Sequence, residues 1–368
     1  MKSDAAALAL FGRLAATPRA AGSAEEGGMR RACAEFLQAR GFETREVRFS
    51  YSNLPGRWGV PIVGAIWLAG ALAAIYAGAY PLREHAAIVA FALVAAGWVT
   101  SLALSLSVTA GRVGRSESVN LVATRGIEPL IWLCAHLDTK SQAVSTLVRS
   151  AALMAAGASA MVLVILYMAG RLTGGEPGTA WLVAGTVLAA GAGVMMICVV
   201  GNSSPGAADN ASGVAAVLAT ASSTGKEPLG VVLTSAEELG LAGAKAWAVS
   251  AATDGRQAPR AIINCDTLDD EGVMRCVVHN RRDSGLVAEL VAAGAAADIP
   301  VRVTRHTPGI MVDSAALAAS GLPAVTLSRV TLSTLRRIHT SRDTADRLSG
   351  DGIEQAVALM SGFVREHA

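Results

Sequence analysis

The chain has 368 residues, of which 52% are hydrophobic and only 16% are charged, and its formal net charge is +2. This composition is unlike that of an ordinary soluble domain. The small net charge, without a basic stripe interleaved with aromatic residues, argues against a nucleic-acid partner. Five irregularly spaced cysteines without a CxxC pair indicate neither a disulfide framework nor a zinc knuckle, and they favour a reduced compartment.

Helical and strand patterns alternate along the polar parts of the chain. The segment Met1–Ala16 is expected not to be a signal peptide, because it contains Asp4 and a polar, charged stretch follows it. In chain order the predicted elements are a helix at Glu25–Arg40, strands at Glu46–Tyr51, Ser118–Thr124 and Leu130–Ala135, a helix at Ser212–Ser223, a strand at Gly230–Ser235, a helix at Gly240–Ala251, a strand at Ala261–Cys265, a helix at Ser284–Ala296, a strand at Ala324–Ser328 and a helix at Ile353–Glu366. This order predicts an α/β fold with a doubly wound, mostly parallel (mixed) sheet flanked by helices.

Four uncharged apolar stretches interrupt this pattern, at about Val60–Tyr80, Ala86–Val108, Ser150–Gly170 and Ala180–Val200. Each is long enough to cross a hydrocarbon core, which takes roughly 20 helical residues. Buried helices of a large soluble domain are the alternative, but uncharged runs of this length rarely occur together in soluble proteins. The sequence therefore predicts an integral, multi-pass membrane protein with four transmembrane helices inserted as two hairpins.

The hairpins are inserted within the α/β domain. We expect catalytic segments at 1–57, 111–145 and 203–368, the first hairpin at 58–110 and the second at 146–202. The far ends of the hairpins hold Arg83 and Arg171. The near ends hold more basic residues, namely Arg57, Arg112, Arg115, Lys140 and Arg149. Because basic residues favour the cytoplasmic side, the catalytic domain and both termini are predicted to be cytoplasmic.

Two adjacent carboxylates, Glu237 and Glu238, follow the strand Gly230–Ser235 and precede a glycine-rich turn. Like charges this close repel each other unless a cation or a raised pKa compensates one of them. The pair therefore suggests that one glutamate binds a metal ion while its neighbour acts as a general base.

Further polar motifs lie where a doubly wound sheet places its functional residues, at the carboxyl ends of strands. They are His136-Leu-Asp138, Asp209-Asn210-Ala-Ser-Gly213, Asp266 and His339-Thr-Ser-Arg-Asp343-Thr. Each has an ordinary explanation if taken singly, such as a loop hydrogen bond, a helix N-cap, a turn residue or a surface histidine. Together with the glutamate pair they supply donors for two Zn²⁺ ions that share one carboxylate.

The order HxD, DNxSG, EE, D and HTxxDT resembles the co-catalytic zinc aminopeptidases of peptidase family M28, which are kin of bacterial leucyl aminopeptidase and of glutaminyl cyclases. The resemblance covers nearly the whole chain outside the hairpins, including Pro18–Gly41, Val312-Asp313-Ser and Gly321-Leu-Pro-Ala-Val. It implies a hydrolase with two zinc ions and a peptide substrate.

The resemblance also implies a role for each matching residue. Asp209 would bridge two zinc ions. His136 and Asp266 would complete one ion, and Glu238 and His339 the other. Glu237 would be the general base. Three more carboxylates would act by supporting these groups: Asp138 by a hydrogen bond to the far nitrogen of His136, and Asp313 and Asp343 behind the metal ligands.

Two alternatives remain open at this point. A glutaminyl-cyclase-like acyltransferase would use much the same residues with one zinc ion. A non-catalytic membrane scaffold on a peptidase fold would usually have lost ligands, whereas every expected ligand is present here. The second hairpin begins shortly after Asp138 and ends shortly before Asp209, so the short connecting segments keep the metal site near the membrane surface. Hydrophobic or membrane-associated peptides are then expected as substrates, and the alternative is that the hairpins are only anchors.

Overall fold

The computed structural model describes residues 5–80, 83–253, 257–305 and 311–368. The chain divides into two compact units. One comprises Met1–Tyr51, Arg115–Ser141 and Gly201–Ala368, and the other comprises Ser52–Gly114 and Gln142–Val200. We call them the sheet unit and the helical unit.

The sheet unit contains eight strands, which are β1 (Glu43–Ser52), β2 (Arg115–Arg125), β3 (Ile131–His136), β4 (Leu229–Thr234), β5 (Ala261–Leu268), β6 (Met274–Val278), β7 (Val301–Arg305) and β8 (Ala324–Arg329). Their order across the sheet is β1-β2-β4-β3-β5-β8-β6-β7. The four central strands β4, β3, β5 and β8 are parallel, while β2 and β6 join them in antiparallel fashion. The predicted α/β fold with a mixed sheet is confirmed.

Helices cover both faces of this sheet. They are α1 (Ala5–Leu14), α2 (Ala24–Gln38), α7 (Ser212–Ser223), α8 (Ala242–Thr253), α9 (Ser284–Ala296), α10 (Asp313–Ala319), α11 (Leu332–Arg337) and α12 (Asp351–His367). Alternate residues of each central strand point to opposite faces. Val231 and Leu233 of β4 pack in the core that contains residues of α1, α2, α7, α9 and α12, whereas Val232 packs with Trp247 of α8 and Leu317 of α10.

Four short elements were not predicted from the sequence. Strand β6 has five residues, and β7 at the edge of the sheet has the sequence Val-Arg-Val-Thr-Arg, so neither produces a long apolar run. Helices α10 and α11 have seven and six residues, which is too short for a helical repeat to be recognised.

The helical unit contains α3 (Leu54–Ala79), α4 (Arg83–Ala110), α5 (Thr146–Thr173) and α6 (Thr179–Met196). All four are long and apolar enough to cross a membrane. Small residues contribute to the contacts between these helices. A carbon atom added at Gly64 of α3 would lie 2.9 Å from the carbonyl oxygen of Ala192 in α6, and one added at Gly191 would lie 2.9 Å from that of Ala152 in α5. Glycine at these positions lets the helix backbones approach closely.

Candidate metal centre

The centre lies at the carboxyl ends of three adjacent parallel strands. His136 is the last residue of β3, Asp266 lies near the end of β5, and Glu237 and Glu238 follow β4. Because β3 lies between β4 and β5, these three motifs meet at one edge of the sheet. Such an edge is the usual location of a ligand site in an open α/β sheet.

Asp209 reaches this edge from a single turn, Ala207–Ala211, that precedes α7. The side chain of Asn210 fixes that turn to β5. Its amide nitrogen donates to the carbonyl oxygen of Cys265 (2.8 Å), and its amide oxygen accepts the N–H of Thr267 (3.2 Å), on either side of Asp266. A carbon atom added at Gly213 would lie 2.5 Å from the carbonyl oxygen of Cys265. The DNxSG motif is therefore explained by close contact between this turn and β5.

His339 follows α11, and the loop behind it is bound to the same turn. The carboxylate of Asp343 accepts the backbone N–H of Ala208 at 2.9 Å and that of Asp209 at 3.1 Å. Burial raises the pKa of Asp343 to about 6. The HTxxDT motif thus places His339 and Asp209 together, and the supporting role of Asp343 behind metal ligands stays a prediction.

Five side chains form two groups that share Asp209. In the first group are His136, Asp209 and Asp266, and in the second Asp209, Glu238 and His339; within each group the potential ligand atoms lie within 4.8 Å of one another. Nε2 of His136 lies 3.2 Å from Oδ1 of Asp209, and Nε2 of His339 lies 2.9 Å from Oδ2. Each oxygen of the Asp209 carboxylate thus faces a different histidine.

The donor set fits zinc, which is bound by imidazole nitrogen and carboxylate oxygen in protein sites. Oε1 of Glu238 supports the fit. This oxygen is buried and has no well-aligned hydrogen-bond donor among the residues that the structure describes, although Nε2 of His339 lies 3.1 Å away. A buried carboxylate oxygen without a hydrogen bond is costly unless a cation faces it. The residues present could therefore hold a metal ion in each group.

The pKa values of these groups reflect a dense, buried cluster of opposite charges. Burial opposes ionisation of Asp209, but the hydrogen bonds from His136 and His339 outweigh it and hold the pKa of Asp209 well below its usual range. Burial also opposes protonation of His136, yet the surrounding carboxylates, led by Glu237, raise its pKa well above the ordinary value. The pKa of Asp266 is raised to about 7 by burial. The positively charged form of His136 and the negatively charged form of Asp209 therefore stabilise each other.

Glu237 belongs to neither group, although it lies next to Glu238 and is only 4% exposed. Burial raises the pKa of its carboxyl well above the usual range, His136 opposes this shift, and Glu238 and Asp266 add to it. A carboxyl group with a raised pKa beside a metal centre can accept and release a proton. Its position is compatible with the predicted role of general base.

The structure corrects the expected contact of Asp138. Nδ1 of His136 lies 2.9 Å from the backbone carbonyl oxygen of Asp138, whereas the carboxylate oxygen Oδ1 is 3.8 Å away. The carboxylate instead accepts the backbone N–H of Glu237 (3.1 Å) and of Glu238 (3.2 Å). Since these two hydrogen bonds occupy the side chain, the main chain of Asp138 orients the histidine. Asp138 therefore ties the HxD segment to the glutamate pair.

Asp313 is bound by strand residues rather than by the turn that carries Asp209. At the start of α10 it is fully buried, accepts a hydrogen bond from the hydroxyl of Thr234, and lies 3.9 Å from the sulfur of Cys134. Burial raises its pKa. Its hydrogen-bond partners thus belong to the strands β3 and β4 beneath the site.

Two buried cations at the site were not identified from the sequence. The side chain of Arg19 donates to the carbonyl oxygens of Leu137 (3.0 Å) and Pro205 (2.7 Å), and so connects the HxD segment with the chain leading to Asp209. Nζ of Lys140 contacts Oε2 of Glu238. The position of Lys140 two residues after Asp138 is a sequence signal that could have identified it.

Comparison with known proteins agrees with this geometry. The model of peptidase family M28 matches residues 192–364. The resemblance to family M28 is confirmed. The matched residues include four of the five candidate ligands, and His136 joins them through the pairing of β3 between β4 and β5. The match supports a metallopeptidase hydrolase.

Solved structures of aminopeptidases and glutaminyl cyclases share this fold. The LapA aminopeptidase of Legionella pneumophila is 14% identical with a TM-score of 0.56, over 98% of this chain and 70% of that one. An aminopeptidase from Aneurinibacillus sp. strain AM-1 is 16% identical with a TM-score of 0.55, over 100% and 94%. A glutaminyl cyclase of Bacteroides thetaiotaomicron is 12% identical with a TM-score of 0.58, over 99% and 98%. No curated protein sequence matches the chain.

Proposed function

We propose that the chain is a membrane-integrated aminopeptidase of family M28 that uses two zinc ions. The observation that carries this proposal is the pair of three-residue groups that share Asp209. In the proposed arrangement, His136 and Asp266 hold one ion, Glu238 and His339 hold the other, and Asp209 contacts both.

The proposed reaction is hydrolysis of the peptide bond that follows a free amino-terminal residue. Bound zinc would supply Lewis acidity and lower the pKa of a water molecule. Glu237 would take a proton from the attacking water and return it to the leaving amine. Asp138 would hold Glu237 in place through the hydrogen bond that its carboxylate accepts from the Glu237 backbone.

Peptides with free and blocked amino termini test this reaction. Purified protein in detergent, supplied with Zn²⁺, should release the first residue from unblocked peptides and leave their acetylated counterparts intact. The same preparation treated with a chelator is the control. Cyclisation of peptides that begin with glutamine, without hydrolysis of other peptides, would instead indicate a glutaminyl-cyclase-like acyltransferase. The tested peptides should include apolar peptides in liposomes, because hydrophobic or membrane-associated peptides are the proposed substrates. These should be cleaved with a higher kcat/KM than short soluble peptides that begin with the same residue.

The distribution of side chains in the helical unit supports insertion in a lipid bilayer. Its core consists largely of alanine, including Ala71, Ala77, Ala160 and Ala192. Large apolar side chains face outward, among them Val99, Leu102, Leu106, Met154 and Ile165, which are 58% to 68% exposed. In water this arrangement would leave much apolar surface solvated, whereas membrane helices often pack through small residues and face lipid with large ones.

The proposed topology places the sheet unit and both termini in the cytoplasm. The basic residues near the two ends of each hairpin support this orientation, because Lys and Arg accumulate on the cytoplasmic side. A cysteine introduced at Arg171→Cys should react with a membrane-impermeant thiol reagent in intact cells, whereas one at Lys226→Cys should react only after lysis. The five natural cysteines are buried and provide a low background. Labelling of Lys226→Cys in intact cells would show that the orientation is the reverse of the proposed one.

A further inference from the structure

Lys140 is a buried cation beside a candidate metal ligand. Its Nζ contacts Oε2 of Glu238, and the two side chains are only 7% and 3% exposed. Lysine is rarely buried unless it is paired with an acidic group. Lys140 lies two residues after Asp138 and is about as buried as the candidate ligands Asp209 and Asp266. Lys140 is therefore part of the candidate metal centre.

The contacts of Glu238 divide its two carboxylate oxygens between different partners. Its backbone N–H donates to Oδ2 of Asp138 at 3.2 Å, so the same segment of chain holds both its backbone and its carboxylate. Oε2 is bound by Lys140. Oε1 faces His339 and has no well-aligned hydrogen-bond donor among the described residues. Only Oε1 is thus available to a metal ion in the second group.

We propose that Lys140 is a positioning residue that restricts Glu238 to metal binding through Oε1 alone, and whose charge lowers the zinc affinity of the group formed by Asp209, Glu238 and His339. This inference rests on the proposed metal centre. A carboxylate can bind a metal ion through one oxygen or both. An ammonium group bound to one oxygen prevents a metal ion from binding both oxygens. It also repels a dication bound to the other oxygen, and the repulsion is stronger because both charges are buried. Lys140 therefore lowers the zinc affinity of this group and fixes the way in which the Glu238 carboxylate binds the ion.

The variant Lys140→Met removes the charge and keeps the length of the side chain. In competition with a zinc chelator, this variant should hold zinc more tightly, by roughly tenfold or more, because the repulsion between a buried ammonium group and a dication is removed. With Co²⁺ in place of zinc, its visible absorption should weaken, because Glu238 would bind through both oxygens and raise the coordination number. Lys140→Arg keeps the charge and should restore the wild-type values. Lys245→Met, at a half-buried lysine of α8, is the matched control.

Weaker zinc retention in Lys140→Met, or retention and absorption equal to the wild type, would overturn the proposal. Lys140→Gln provides a second neutral variant if the methionine variant does not fold, and circular dichroism identifies that case. All readouts are metal binding and spectra of the full chain. The aminopeptidase proposal fails if peptides stay intact, whereas the proposal for Lys140 fails on zinc retention and absorption. The two failures are therefore distinguishable.

Discussion

Replacement of Glu237 by glutamine is expected to lower kcat by roughly 10²-fold to 10⁴-fold, the usual contribution of a general base. The amide has the same shape as the carboxylate but cannot accept the proton. Because Glu237 lies outside both three-residue groups, the variant should keep its full zinc content. Steady-state kinetics on an unblocked peptide, together with elemental analysis of the same sample, measure both effects.

Glu35→Gln is a matched control for this variant, because Glu35 lies on the exposed side of α2. It should leave kcat and zinc content unchanged. Turnover near that of the wild type in Glu237→Gln would show that another group accepts the proton. Loss of zinc in the same variant would instead make Glu237 a ligand.

Removal of the shared carboxylate is expected to have the largest effect on metal content. Because two groups share Asp209, the wild type should bind about two zinc ions per chain, whereas Asp209→Ala should bind almost none. His136→Ala and His339→Ala each remove a donor from only one group, so each should retain about one ion. Chelation of the wild type should abolish activity, and added Zn²⁺ should restore it.

Asp351→Ala, at an exposed position in the first turn of α12, is the control for these substitutions and should keep the wild-type metal content. A single tightly bound ion in a fully active wild type would contradict the two-zinc proposal. That outcome would favour the glutaminyl-cyclase-like alternative, which needs one zinc ion.

The parts of the site that could be predicted from sequence are those carried by local patterns. His136, Asp266 and the glutamate pair each follow a short apolar run, so the positions of strand ends could be read directly. Asp209 and His339 lie far apart in the chain, and no local pattern joins them. They were connected by the resemblance to family M28, and their contacts with each other depend on Asp343 and the turn before α7. The roles of these residues in catalysis remain predictions.

Other features depend on tertiary structure and could not be predicted. The contact of Asp138 with His136 is made by the main chain, because two backbone N–H groups of the glutamate pair occupy the carboxylate. A sequence motif does not reveal whether a residue will form a hydrogen bond through its side chain or through its main chain. Arg19 is similar, since its partners are backbone carbonyl oxygens of distant segments. Sequence motifs indicate the chemical groups of a site better than they indicate its hydrogen bonds.

The order of strands in the sheet has a consequence for how the protein is made. Strand β3 pairs with β4 and β5, and both follow the second hairpin in the sequence. On the ribosome, residues 131–136 therefore emerge before either partner strand, and they stay unpaired until the two long apolar helices α5 and α6 have been synthesised. Pairings between such distant segments form slowly, and unpaired strands in incomplete chains are prone to aggregate. The sheet unit can complete its central sheet only late in synthesis, so a pause in translation between β3 and β4 would prolong the time for which β3 is exposed to aggregation.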